Sequence, residues 1–154
     1  MIDNSRYLCF NLAKEEFGIP LLAIKEVIGY PEFTPIPQAP AHFLGIMNLR
    51  GQVISVMDLR VKLNIKPSRT EETSVIILDL GDYNLGVVVD QVNAVHLLSA
   101  EDLGEKPVVE NSKNHDYITG VYRKDDRLIL LLDIAKALSV QDRSTLSQTQ
   151  KKAA

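Results

Sequence analysis

The chain has 154 residues, with 17 Lys and Arg against 20 Asp and Glu, a formal net charge of −3. That length allows one domain or two small subdomains, and the 45 % hydrophobic content excludes wholesale disorder. The mild acidity lacks the basic footprint of a nucleic-acid binder, no apolar run reaches the roughly 18 residues of a membrane helix, and Met1–Arg6 has no secretory-signal pattern; with Cys9 as the lone cysteine, the chain is expected to be soluble and cytoplasmic.

Short aliphatic runs bounded by turn residues predict strands at Tyr7–Leu12, Phe17–Pro20, Val53–Met57, Ser74–Leu80, Leu85–Val89, Tyr117–Tyr122 and Leu128–Leu132. Gly81–Asn84 and Lys124–Arg127 read as hairpin turns. Pro31, Pro35, Pro37 and Pro40 keep residues 31–40 out of any central strand. Helices are short: Leu59–Leu63 follows Asp58 and Ile134–Leu138 follows Asp133, each Asp placed to cap free backbone N–H groups. Ser99–Asp102 resembles a capping box. Residues 139–154 carry no apolar period and read as a helical extension with a frayed tail.

The most informative feature is an internal repeat. Gly45–Leu63 aligns without gaps on Gly120–Leu138, an offset of 75 that superposes Ile54 on Ile129 and Asp58 on Asp133. At an offset of 68, Phe10–Leu12, Gly18, Ile24 and Val27 align on Leu78–Leu80, Gly86, Val92 and Val95. Each half reads strand, turn, strand with Gly, a further apolar segment, strand, turn, strand and Asp-capped helix. Matched halves imply two similar units packed against each other.

Searched for catalytic chemistry, the chain offers little. His42, His96 and His115 lack metal-ligand spacing, so no metal site is expected. Cys9 sits in strand alternation and reads as a small core residue. The spacing Gly81 to Gly86 is not followed by the Lys-Ser/Thr of a phosphate loop, Asp125-Asp126 reads as a solvated hairpin tip, and Ser55 lies in a strand without a nucleophile elbow. The positive signals concern surfaces. Arg50, in the turn Asn48–Gly51, is either solvated or a planar fork for a carboxylate. Ile24, Val27 and Ile28 flank Glu26, and Val92 and Val95 repeat the pattern; these aliphatics either fill the interface between halves or line one apolar groove.

Tyr7–Leu12, Gly18-Ile-Pro, Ile24–Ile28, Thr34–Pro37, Ala39-Pro40, Gly86–Val92 and above all Phe43–Arg60 resemble the CheW family of bacterial chemotaxis coupling proteins. The resemblance runs from about residue 5 to 140. It implies a mainly β fold of two SH3-like five-stranded β-barrels, intertwined as a single domain over 5–140, with the second half at roughly 73–132, a helix at 133–140 packing back, and a polar tail at 141–154. It implies a non-enzymatic scaffold, without cofactor, that joins the cytoplasmic tips of methyl-accepting chemoreceptors to the regulatory domain of the histidine kinase CheA at membrane-associated receptor clusters. Carried over, Ile24, Glu26, Val27, Arg50, Val92 and Val95 fall on the receptor side, with Glu26 and Arg50 paired. Phe33, Thr34, Pro35 and Gly45 fall on the kinase side, Gly45 where little bulk is tolerated. The other readings are a paralogous scaffold for another receptor-like system, in motility or biofilm signalling, and a small β-barrel enzyme, which would need a convergent titratable cluster.

Overall fold

A computed structural model describes residues 5–81, 83–99, 103–104, 117–124 and 126–152. His115, Asp125 and most of the expected capping box at 99–102 lie outside them. The strands are β1 (Ser5–Leu12), β2 (Glu15–Pro20), β3 (Ile24–Gly29), β4 (Phe43–Leu49), β5 (Gln52–Asp58), β6 (Ser74–Asp79), β7 (Asn84–Val89), β8 (Gln91–Leu98), β9 (Leu103–Gly104), β10 (Ile118–Lys124) and β11 (Arg127–Leu132). Three helices follow β5 and β11: α1 (Leu59–Lys62), α2 (Ile134–Ala137) and α3 (Val140–Lys152).

The strands form two sheets, ordered β3-β6-β7-β5-β4 and β8-β1-β2-β11-β10-β9. The repeat equates β1 with β6, β2 with β7 and β3 with β8. Each sheet therefore takes two strands from one half of the repeat and the rest from the other. The joins are the parallel pairs β5 with β7 and β11 with β2 and the antiparallel pairs β3 with β6 and β1 with β8. The two halves do not fold as separate units beside each other; they exchange strands.

This exchange explains why the strands are runs of aliphatics rather than alternations. A strand covered on both faces must be apolar at successive positions. Ile76 and Leu78 of β6 enter a central cluster with Phe10, Leu12, Met57, Val87 and Leu132, whereas Val75 and Ile77 turn to a second cluster with Met47, Ile54, Val56 and Val88. The other sheet encloses its own cluster of Cys9, Leu98, Tyr122, Ile129 and Leu131. We call these enclosures the first barrel (around Ile54) and the second barrel (around Ile129). Gly86 has no side chain because a Cβ there would come within 2.9 Å of Val75 Cγ1 inside the first barrel.

Both predicted caps form. Asp58 accepts from the Arg60 N–H at 3.0 Å, and Asp133 caps α2 through the Lys136 N–H. Asp58 does more. The buried Arg60 guanidinium bonds Asp58 and also Asp90 at 2.8 Å, and Asp90 accepts from Ala13 N–H at 2.6 Å. Burial opposes the Arg60 charge, but the two carboxylates hold its pKa above the ordinary value.

Residues 140–152, expected as a helical extension running into a frayed polar tail, form the docked helix α3. Its anchors are few, which is why no apolar period marks it: Leu146 is fully buried in the central cluster and Asp142 is fully buried beside it. Asp142 accepts from Lys62 Nζ at 2.8 Å and Ser139 N–H at 3.0 Å, and lies 2.6 Å from His42 Nε2. The Ser139 hydroxyl accepts from the Asp142 N–H, completing a reciprocal cap. Desolvation would raise the Asp142 pKa, yet these partners together lower it.

Candidate functional site

The β4–β5 hairpin turns through Arg50 and Gly51, both at positive φ (52° and 87°). Two central residues at positive φ make the tight turn that matches strand twist, and arginine is an uncommon choice for the first of them. Asn48 Oδ1 steadies the turn by accepting from Gly51 N–H at 2.9 Å. The turn presents the Arg50 guanidinium to Glu26 on β3: Nη2 donates to Oε1 at 2.9 Å and Nη1 donates to Oε2. Since β3 and β4 are the two edges of one sheet, this fork bridges the first barrel's edges. The Arg50 hydrogen bond holds the Glu26 carboxyl below the usual range. Lys25, Leu49, Gln52, Ile54 and Ile77 complete the walls of a small cavity of about 210 Å³ beneath the pair.

The repeat-related aliphatics occupy matched environments. Ile24 and Val92 are half-buried against the central cluster. Val27 and Val95 are 41 % and 46 % exposed, on the edge strands of different sheets. Register shifts occur at matching places, between Ile24 and Glu26 against β6 and between Leu8 and Phe10 where β1 meets β8. A bulge of this kind re-aims side chains, and here strict alternation gives way to a strip that is part core and part surface. Sequence reasoning missed Leu97, exposed two residues beyond Val95 on β8, and Leu22, fully exposed in the helical turn Leu21–Ala23. A run of apolar residues does not reveal which of its members faces water.

Phe33, Thr34, Pro35 and Gly45, expected on the kinase side, lie on and beside β4. Thr34 and Ile46 exchange two backbone hydrogen bonds of 2.8 Å, which lays residues 33–35 along the sheet edge. Gly45 is buried, at φ +152°, and a Cβ there would lie 2.4 Å from the Thr34 carbonyl oxygen. Its intolerance of bulk is a backbone packing requirement; it seats Thr34 rather than facing outward. Phe33 meets Tyr30 edge-on at 5.2 Å, and Arg69 stacks 4.2 Å from the Tyr30 ring. Thr34 and Pro35 are exposed.

Of the titratable groups singled out earlier, Cys9, His42 and His96 lie among the described residues and make packing or hydrogen-bond contacts. Cys9 is fully buried, and desolvation pushes its thiol up to about 11, far from a nucleophile's range. His42 joins Asp142 of α3, and His96 accepts from Arg127 at 3.0 Å.

Two exchanged β-barrels with a charged fork joining the two edges of one sheet and aliphatics exposed on two edge strands define a protein-binding scaffold. A family model described as the CheW-like domain matches residues 6–142, and the chain belongs to this family. It is 36 % identical over 146 residues to the chemotaxis protein CheW of Klebsiella aerogenes, covering 94 % of this chain and 88 % of that one. It is 31 % identical over 150 residues to CheW of Treponema pallidum, with the same coverage. The crystal structure of the scaffolding protein TtCheW from Thermoanaerobacter tengcongensis aligns with TM-score 0.80 and 26 % identity over 90 % of both chains. The mainly β architecture and the chemotaxis scaffold assignment expected from sequence therefore hold. No helix among the described residues is long and apolar enough to cross a membrane.

Proposed function

We propose that this chain couples the cytoplasmic tips of methyl-accepting chemoreceptors to the regulatory domain of a CheA-type histidine kinase, without catalysis of its own, at receptor clusters on the cytoplasmic face of the membrane. The observation that carries the reading is the Glu26–Arg50 fork, a charged pair held on the surface by a positive-φ turn and flanked by exposed Val27. Backbone strain at an exposed charged residue is the kind of feature retained at functional sites. A receptor tip is helical, and a helix docks with aliphatic anchors inside a charged rim; Ile24, Val27, Val92 and Val95 supply anchors, and Glu26 and Arg50 the rim. Residues 33–35, seated by Gly45 along β4, supply the surface for the kinase, so both partners can be held at once. Such contacts are modest individually and gain strength from the array.

The test is reconstitution. Purified chain, a CheA-type kinase and receptor-containing membranes are combined, and sedimentation and kinase phosphorylation are followed. The expected result is a ternary pellet whose kinase activity depends on the chain. A kinase pellet and activity that are the same without the chain would refute the proposal.

A further inference from the structure

At the mouth of the second barrel, Cys9 of β1, Glu16 of β2 and His96 of β8 bring a sulfur, a carboxylate oxygen and an imidazole nitrogen within 4.8 Å of one another. Sequence spacing hides this, because the three come from separate strands and Cys9 lies at the bulge where β1 changes register against β8. The cluster already holds a cation. Arg127 Nε donates to Glu16 Oε1 at 3.0 Å, Nη2 donates to Oε2, and Nη1 donates to His96 Nε2 at 3.0 Å. Asn93 Nδ2 adds a bond to Glu16 at 3.2 Å. Glu16 is 13 % exposed and Arg127 is 39 % exposed, so the guanidinium is the part of the cluster with an open route to solvent.

We propose that this mouth is a site for a thiophilic divalent cation of the zinc type, in which the metal and the Arg127 guanidinium are alternative occupants. Sulfur, imidazole and carboxylate form a donor set that suits zinc, and three protein ligands with one open position is a known zinc arrangement. Ligand atoms around a tetrahedral zinc lie about 3–4 Å apart, so the three donors need to close by little more than about 1 Å. Arg127 swings outward as the metal enters. The Cys9 thiol releases its proton to water and binds as thiolate, Glu16 binds through its carboxylate, and His96 binds through Nε2. One positive guanidinium is exchanged for a divalent ion and a thiolate, so the charge at the mouth is unchanged. The consequence is that the Arg127 guanidinium leaves Glu16 and His96 and enters solvent when metal is bound.

Cobalt(II) serves as the spectroscopic probe on the full chain under reducing conditions. Because Cys9 is the chain's one cysteine, a thiolate-to-cobalt charge-transfer band in the near ultraviolet can arise from no other residue. The expected result is a band that saturates at one equivalent and is displaced by zinc. It is lost in Cys9→Ser, and cobalt binds more weakly in His96→Ala and Glu16→Gln. In Arg127→Ala, cobalt binds about tenfold or more tightly, because the competing charge is gone. Circular dichroism verifies that each variant is folded. Absence of the band in the unmodified chain overturns the proposal, including when it emerges in Arg127→Ala, since the guanidinium would then be a permanent occupant. Undiminished binding in both His96→Ala and Glu16→Gln also overturns it.

Discussion

In the first barrel the two sheet edges are bridged by Glu26 and Arg50, whose side chains are 28 % and 71 % exposed. At the second barrel's mouth, Glu16 and Arg127 are 13 % and 39 % exposed and are tied further to His96 and Asn93. The repeat makes the surroundings comparable but not the residues. Arg127 aligns with Gln52, and Glu26 with Ala94. Each barrel thus evolved its own acid–arginine pair at a different register. The outer pair, wet and screened, is poor material for stability and good material for a partner to read. The inner pair, part-desolvated and shared among four side chains, holds strands together. One fold carries the same chemistry in two roles, and exposure separates them.

That contrast is tested first at Arg50. Arg50→Glu should abolish receptor-dependent kinase activation in the reconstituted system while the melting temperature stays within the scatter of the unmodified protein; a large drop in melting temperature would make the outer pair structural. Val95→Asp comes next, with receptor co-sedimentation weakened about tenfold, the scale expected for a charge placed at an apolar anchor, and the fold unchanged. Asp142→Asn should cost about 2 kcal/mol by chemical denaturation, since it unpairs Lys62 in a buried setting. The same carboxylate sets a pH dependence. Its folded pKa lies below the ordinary 3.8, so its contribution is complete above that value and is lost as pH falls through the lower folded pKa. Loss of α3 protection in hydrogen exchange below about pH 4 checks it. Arg127→Ala is the smallest and the mirror image of Arg50→Glu: about 1 kcal/mol of stability, or roughly 2–4 °C in melting temperature, with kinase coupling retained. If Arg127→Ala lost coupling and Arg50→Glu did not, the two roles would be reversed.

Much of this was legible along the chain. The duplicated pattern from Gly45 and from Gly120 announces two similar units, and Asp58 and Asp133 mark the starts of α1 and α2, because capping is a local interaction between a side chain and its own next turn. The family resemblance located Glu26 and Arg50 and anticipated their pairing. Other features were not legible. Leu146 and Asp142 anchor α3 through partners such as Lys62 and His42, about a hundred residues or fewer away in sequence, and no periodicity records two isolated anchors. Gly45 stood out as a position of little tolerated bulk, yet its constraint is the Thr34 carbonyl lying over it.

By itself, then, the sequence determined the elements, their order, the duplication and the family, since these depend on side-chain periodicity, turn chemistry and local capping. Only the tertiary structure decided which strands the intertwined halves exchange, that consecutive aliphatics of β6 serve two different cores, and that Cys9, Glu16, His96 and Arg127 meet at one mouth. Those outcomes depend on which strands pair across the chain and on where a bulge shifts the register, and long-range pairing leaves no mark at fixed spacing.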